Sequence, residues 1–190
     1  MHSKFIKHLS KFIELNDNSI EIINKYFEYI HFKKKDFLLK EGQICRSLYF
    51  VEKGCLRMFF INNKGGEQIT QFALENWMIS DFFSFTDNKP SAYSIQAVEN
   101  SDVLSIDLLS FELLVKDLPQ MERYFRIIMQ RALAASQLRN KYMYELSKEE
   151  FYSHFCTSFP EFVQRVPQYM IASYLGLTPE YVSELRKKNL

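Results

Sequence analysis

Three cations stand together near the end of the chain, Arg186, Lys187 and Lys188, and the residues just before them are Thr178, Pro179, Glu180, Tyr181, Ser183 and Glu184 at the polar positions of a helical period. Guanidinium and ammonium groups at this spacing pair phosphates, while hydroxyls, a phenol and carboxylates reach base edges. The chemistry on offer is therefore non-covalent reading of a duplex. Glu180 and Glu184 repel phosphates unless they accept a hydrogen bond from cytosine N4, so the affinity of one such helix should be modest.

Other chemistries find little support. The cysteines, Cys45, Cys55 and Cys156, are odd in number and form no C-x-x-C pair, and the four histidines are scattered, so neither a disulfide framework nor a metal site is expected. The five glycines cannot write a G-x-G-x-x-G, a phosphate-binding P-loop or a G-x-S-x-G elbow. No catalytic constellation is found, and the protein is not expected to be an enzyme.

The elements that position the C-terminal residues are legible around them. In IASYLGLTPEYVSELRKK, a first helix ends at Gly176 and a second begins at Thr178, whose hydroxyl can cap it, with Pro179 in its first turn. Ile171, Ala172, Leu175, Leu177, Val182 and Leu185 face inward, and small Ala172 lets the helices cross closely. This is the pattern of a helix-turn-helix, whose second helix enters the major groove. An ordinary helical hairpin with a solvated charged face would show the same periodicity.

Upstream, Ser147-Lys148-Glu149-Glu150 matches the S-x-x-E capping box and marks another helix start. Before it, Pro119 to Leu146 runs without Gly or another Pro, about 42 Å if helical throughout. Met121, Ile128, Ala135 and Tyr142 recur every seven residues along it, and Tyr124, Phe125, Ala132, Leu138 and Leu146 fill neighbouring positions. Such a stripe asks for a partner helix, and from Arg131 onward the small Ala132, Ala134, Ala135 and Ser136 favour a homodimer seam. Its first half can pack on the chain's own core instead. Two recognition helices about 34 Å apart would then meet successive turns of a palindromic operator.

The first part of the chain reads differently. Phe5 to Tyr29 has the spacing of two short helices, the second starting near Asp17-Asn18-Ser19. From about Phe32, short runs rich in Phe, Tyr, Val and Ile are punctuated by glycine turns. Leu48–Glu52, Leu56–Ile61, Gln68–Leu74, Tyr93–Ala97 and Asp102–Ile106 are the clearest strands, suggesting a small barrel or sandwich. A further short helix follows at Leu108–Lys116. The chain's 190 residues, 47% hydrophobic and 16% aromatic, suffice for a sizeable core, while a formal charge of +1 excludes binding of polyanions by a global basic coat. With no apolar run near 20 residues and no signal-like N-terminus, a cytoplasmic location with no membrane partner is expected.

Taken together, EGQICRSLYFVEKGCLRMFF, a long helix after a proline and a terminal helix-turn-helix resemble the Crp/Fnr family of bacterial transcription regulators. The stretches YSIQAVENSDVLSI and RVPQYMIASYLGLTPE are similar to those of the branch common in Bacteroidetes. The resemblance implies an α+β fold: an N-terminal double-stranded β-helix (jelly-roll) barrel of the cyclic-nucleotide-binding type with flanking helices over 1–118, a dimerisation helix over 119–146, and a helix-turn-helix domain over 147–190. The implied partners are double-stranded DNA bearing a palindrome, a second copy of the chain, and RNA polymerase if the protein activates.

Where the family has departures, the chain predicts consequences. Members that bind cyclic AMP hold its phosphate with an Arg in a cassette that corresponds to Ser80-Asp81-Phe82 through Pro90-Ser91-Ala92, and Ser91 stands in the place of that Arg. No cation remains there to offset a buried phosphate, so cyclic AMP is not the expected effector. An unknown small-molecule effector would meet Ser80, Asp81, Phe82, Phe83, Ser91, Ala92 and Tyr93, with Ser136 and Gln137 on the long helix. No cofactor is expected, and iron–sulfur sensing is disfavoured because no cysteine precedes Cys45. The chain ends shortly after Lys188, so the β-hairpin wing usual after the recognition helix is expected to be missing. Glu184 occupies the place of an Arg that reads guanine in many relatives. The competing reading is a ligand-binding or protein-interaction module whose degenerate helix-turn-helix never meets DNA.

Overall fold

A computed structural model describes residues 3–188, and the side chains of 4–187. Helices α1 (Ser3–Leu9) and α2 (Asp17–Tyr26) lead into strands β1 (Glu28–Phe32), β2 (Phe37–Leu39), β3 (Ser47–Lys53), β4 (Leu56–Ile61), β5 (Glu67–Ala73) and β6 (Met78–Ile79). Helix α3 (Phe82–Asp87) precedes β7 (Ser94–Ala97) and β8 (Ser101–Asp107). The rest is helical: α4 (Leu108–Asp117), α5 (Gln120–Glu145), α6 (Lys148–Ser158), α7 (Pro160–Arg165), α8 (Gln168–Leu175) and α9 (Pro179–Lys188).

The strands form two four-stranded sheets in the orders β1-β8-β3-β6 and β2-β7-β4-β5. That pair of orders is the jelly-roll arrangement, an open double layer of antiparallel strands. The expected α+β class with a double-stranded β-helix holds. Each of the expected strands is present, with ends shifted by at most one residue.

Local chemistry starts several elements where the fold needs them. Asn16 accepts the Ser19 N–H at 2.8 Å to begin α2, Asp107 accepts the Ser110 N–H at 2.7 Å to begin α4, and Ser147 with Glu150 closes the capping box of α6. Four consecutive apolar residues of β3, Leu48 to Val51, are buried, as expected of a strand covered on both faces. Phe50 meets Phe5 at a ring-centroid distance of 4.5 Å, and Phe5 in turn meets Phe27 at 4.7 Å. One contiguous core thus joins both sheets to α1, α2, α4 and the start of α5.

Two compact units emerge, one comprising 1–60 with 71–129 and the other 61–70 with 130–190. Helix α5 is shared between them rather than forming a body of its own. This division corrects part of the expected dimer seam. Met121 is fully buried and Phe125 is 5% exposed, the latter against Phe111 at 4.6 Å, so both belong to the first unit's own core and have no surface to give a second protomer. Ile128 is half-buried against the same core. By contrast Ala132, Ala135 and Leu138 are exposed, and Tyr142 is half-buried with its ring 4.5 Å from that of His154.

The helical period read through to Tyr29 stops earlier, at Tyr26. Phe27 takes an extended conformation, and β1 follows in register with β8, Glu28 opposite Ser105 and His31 opposite Asp102. His31 Nδ1 lies 2.7 Å from Asp102 Oδ1 across this pair. The His31 hydrogen bond, aided by Tyr29, holds the Asp102 carboxyl below its ordinary 3.8. A depressed acid stabilises the fold above its unfolded-state value and loses that contribution as pH falls through the folded value. Asp102→Asn should therefore cost up to about 1 kcal/mol near pH 5, and the two urea midpoints should converge on acidification toward about pH 2. A gap that widens on acidification would contradict this.

Candidate nucleic-acid interface

Helix α8 ends as its sequence dictates. Gly176 has φ +70, the Gly176 N–H donates to Ser173 O at 3.2 Å, and the Leu177 N–H donates to Ala172 O at 2.9 Å. These are the two bonds of a Schellman stop, which requires a left-handed residue that glycine supplies without steric cost. Two residues later the Thr178 hydroxyl accepts the Tyr181 N–H at 3.2 Å, and Pro179 opens α9. Ile171, Ala172, Leu175, Val182 and Leu185 are buried between and around the two helices, and Leu177 is half-buried. The helix pair and its inward face match the sequence expectation.

On α9, Thr178, Pro179, Glu180, Glu184, Arg186 and Lys187 are exposed, while Tyr181 and Ser183 are half-buried. The side chain of Lys188 lies outside the described residues. Arg186 is near enough to Cys156 and Tyr152 on α6 for its charge to act on both. Burial nonetheless dominates there, pushing the Cys156 thiol up and the Tyr152 phenol to about 12. Cys156 is thereby kept as a thiol rather than a thiolate. Lys187 is exposed beside Arg186, and Glu180 and Glu184 sit on the same helix. The helix carries three cations against two carboxylates, a mixed polar face suited to directed hydrogen bonding more than to bulk attraction.

The cassette residues come together in the first unit, as an internally bonded cluster. Asp81 is 6% exposed; its Oδ2 accepts the Ser91 hydroxyl at 2.6 Å, and its Oδ1 accepts the Ser84 N–H at 3.3 Å to cap α3. Ser91 Oγ also accepts the Tyr93 N–H at 3.0 Å. Ser84 Oγ accepts the Cys45 N–H at 2.8 Å, and Ser80 donates to Ser47 O at 3.0 Å with Cys45 Sγ 3.3 Å away. Cys45 and Cys55 are buried. Phe82 and Phe83 are exposed, as is Ala92, so they do not line an enclosed site, whereas Phe85 of α3 is buried in the core. Tyr93 is half-buried, edge-on to Phe60 at 6.1 Å. Ser136 and Gln137 are exposed on α5.

The buried polar residues of this cluster, Ser80, Asp81, Ser84 and Ser91, include no cation. Its one buried charge is a carboxylate, and the hydroxyl of Ser91 is already committed to it. Sequence reasoning found the missing Arg but not the bond that replaces it. It also passed over Arg57, 4% exposed on β4, whose Nε and a terminal nitrogen donate to Gln96 Oε1 at 3.1 and 2.7 Å while its guanidinium lies 4.2 Å from the Phe59 ring centroid. A lone basic residue in a strand-like run gives no signal of such burial.

Comparison with known proteins agrees with this geometry. The family model for the cyclic nucleotide-binding domain matches residues 29–117. The transcriptional activator protein Anr of Pseudomonas protegens is 27% identical over 164 residues, covering 80% of this chain and 66% of Anr. The chain thus spans just under two thirds of that relative's length. Among solved structures, the c-di-GMP responsive global regulator CLP of Xanthomonas campestris superposes with a TM-score of 0.74 at 13% identity, covering 91% of each chain. FixK2 of Bradyrhizobium japonicum gives 0.69 at 18%, covering 85% of this chain and 83% of its own. Fold and matched stretch together define a cyclic-nucleotide-binding-type jelly roll followed by a helix-turn-helix. Residues 29–117 thus match the cyclic nucleotide-binding domain, and over most of its length the chain is similar to bacterial transcription regulators.

Proposed function

We propose that the protein is a dimeric, DNA-binding transcription regulator of the Crp/Fnr type, controlled by an effector other than cyclic AMP. The observation that carries the reading is the helix pair α8–α9, buried on its apolar side and leaving Glu180, Glu184, Arg186 and Lys187 open to solvent. A second copy of the chain would pack on the exposed half of α5, where Leu133 and Leu138 are 61% and 51% exposed beside small Ala132, Ala134 and Ala135. Two linked recognition helices raise a modest single-helix affinity by effective concentration. No helix among the described residues is long and apolar enough to cross a membrane.

Selection of duplexes from a random-sequence pool by the purified chain, at about 50 mM salt and again at about 200 mM, tests the reading. An enriched palindrome with half-sites one helical turn apart supports it; uniform or no binding at both salts overturns it.

Effector choice follows from Asp81. A second negative charge brought within about 5 Å of that carboxylate, at an effective dielectric near 20, is repelled by about 3 kcal/mol. Cyclic AMP at about 1 mM should accordingly leave the thermal midpoint within about 1 °C of the ligand-free value. A rise of several degrees would show that the cassette accepts the phosphate after all.

A further inference from the structure

Strand β5 stands at the end of the sheet order β2-β7-β4-β5, an edge position whose backbone groups other parts of the chain can reach. At one point a single side chain bonds two of them. The Ser173 hydroxyl of α8 accepts the Ile69 N–H at 2.9 Å and donates to Glu67 O at 2.7 Å. One hydroxyl thus completes both sides of a strand edge, docking the first helix of the helix-turn-helix in a register fixed to one residue.

Two further bonds act on the same end of α8. The Gln68 side-chain amide donates to Ser173 O. Arg139 of α5 donates to Tyr174 O at 2.6 Å, with its guanidinium 4.3 Å from the Tyr174 ring centroid. The last carbonyls of a helix lack intrahelical partners and carry the negative end of its dipole, so an amide donor and a cation suit them. Burial of Tyr174 pushes its phenol up. All of these residues belong to the second compact unit.

We infer that Ser173, Gln68 and Arg139 form a clasp that positions the helix-turn-helix on the Glu67–Ile69 stretch of β5, with Ser173 as its positioning residue. The inference rests on the DNA-binding reading above. The clasp leaves Glu180, Glu184, Arg186 and Lys187 exposed, so it does not mask the recognition face. Its role is to hold that face still. A helix pair already held in place loses less freedom when it meets DNA, and two such pairs must meet one duplex together.

The test compares wild type, Ser173→Ala, Ser173→Thr and Gln68→Ala by amide exchange at Ile69 and by titration with the duplex that wild type enriches from a random-sequence pool. Ser173→Ala is expected to speed Ile69 exchange about tenfold and weaken duplex binding about tenfold, from the loss of two hydrogen bonds per protomer. The slope of affinity against salt should stay the same, because no phosphate contact is removed. Ser173→Thr, which keeps the hydroxyl, should restore both readouts to within about twofold. If Ser173→Ala fails to fold by circular dichroism, Gln68→Ala carries the test, since its side chain is on β5 and its loss should weaken binding in the same sense. Unchanged Ile69 exchange in Ser173→Ala, or faster exchange with unchanged or tighter DNA binding, overturns the inference. Should wild type enrich no duplex, the DNA-binding reading fails while the exchange experiment still decides whether the clasp exists.

Discussion

Gly54→Ala is expected to cost about 3–5 kcal/mol, a large share of the 5–15 kcal/mol by which a domain is ordinarily stable. Gly54 lies in the turn between β3 and β4 with φ +105, and a Cβ built there would meet Ser101 at 2.3 Å from Oγ and 2.7 Å from both Cα and Cβ. The hydroxyl could rotate away, but the Ser101 Cα is backbone of β8 and cannot. Ser101 is itself fully buried and donates to Glu99 O at 2.8 Å, while the Gly54 N–H donates to Glu75 Oε1 at 2.8 Å. The turn is held from both sides, so neither strand can retreat without breaking bonds that have no replacement.

The thermal midpoint of Gly54→Ala should fall by roughly 10 °C or more. Gly42→Ala is the matched control: its φ is +84, but nothing lies within 4 Å of an added Cβ, so only the left-handed backbone cost of about 1–2 kcal/mol applies. Equal losses in the two variants would show that backbone conformation, and not the approach to Ser101, limits the turn.

The contrast between those two glycines also marks what a sequence can disclose. Both read as turn residues, and both are; the approach of Ser101 to Gly54 is a fact of tertiary packing with no local signature. The same boundary runs through the whole chain. Helices α8 and α9 were legible because their signals are local: Gly176 as a stop, Thr178 as a cap, Pro179 in the first turn. Strands β1, β2 and β6 were not, because they are short and gain their definition from distant pairing, β1 from β8 and β6 from β3. Periodicity on α5 gave the right stripe but could not say what covers it, and the barrel's own core turned out to cover Met121 and Phe125.

At the candidate sites the division is sharper. The absence of an Arg at the cassette was legible; the Ser91 bond to Asp81 that closes it was not, since a serine beside a proline has many uses. Ser173 offers no pattern at all. Its partners on β5 are 104 and 106 residues earlier in the chain, and a single polar residue next to Ala172 on an otherwise apolar helix face reads as noise.

The largest functional effect is expected at Lys187. Lys187→Glu should weaken duplex binding about 100-fold at about 100 mM salt and lower the steepness of the salt dependence by about 2. The argument starts from charge. On α9 Glu180 and Glu184 offset two of the three cations Arg186, Lys187 and Lys188, and the chain as a whole carries only +1, so the loss of one cation removes the helix's net positive charge. Arg186 and Lys187 are both exposed on α9 and both can meet a phosphate, and reversal at Lys187 tests that face. Each phosphate contact contributes a salt slope of about 0.9, and a dimer presents the residue twice. Reversal adds repulsion to the loss, which is why the expected drop exceeds that for truncation to Ala. Because Lys187 is exposed, the variant should fold with an unchanged thermal midpoint, separating an interface effect from a stability effect. Lys187→Glu that binds the selected duplex as tightly as wild type, with the same salt slope, would place the DNA contact elsewhere and would favour a role for the helix pair as an internal packing element.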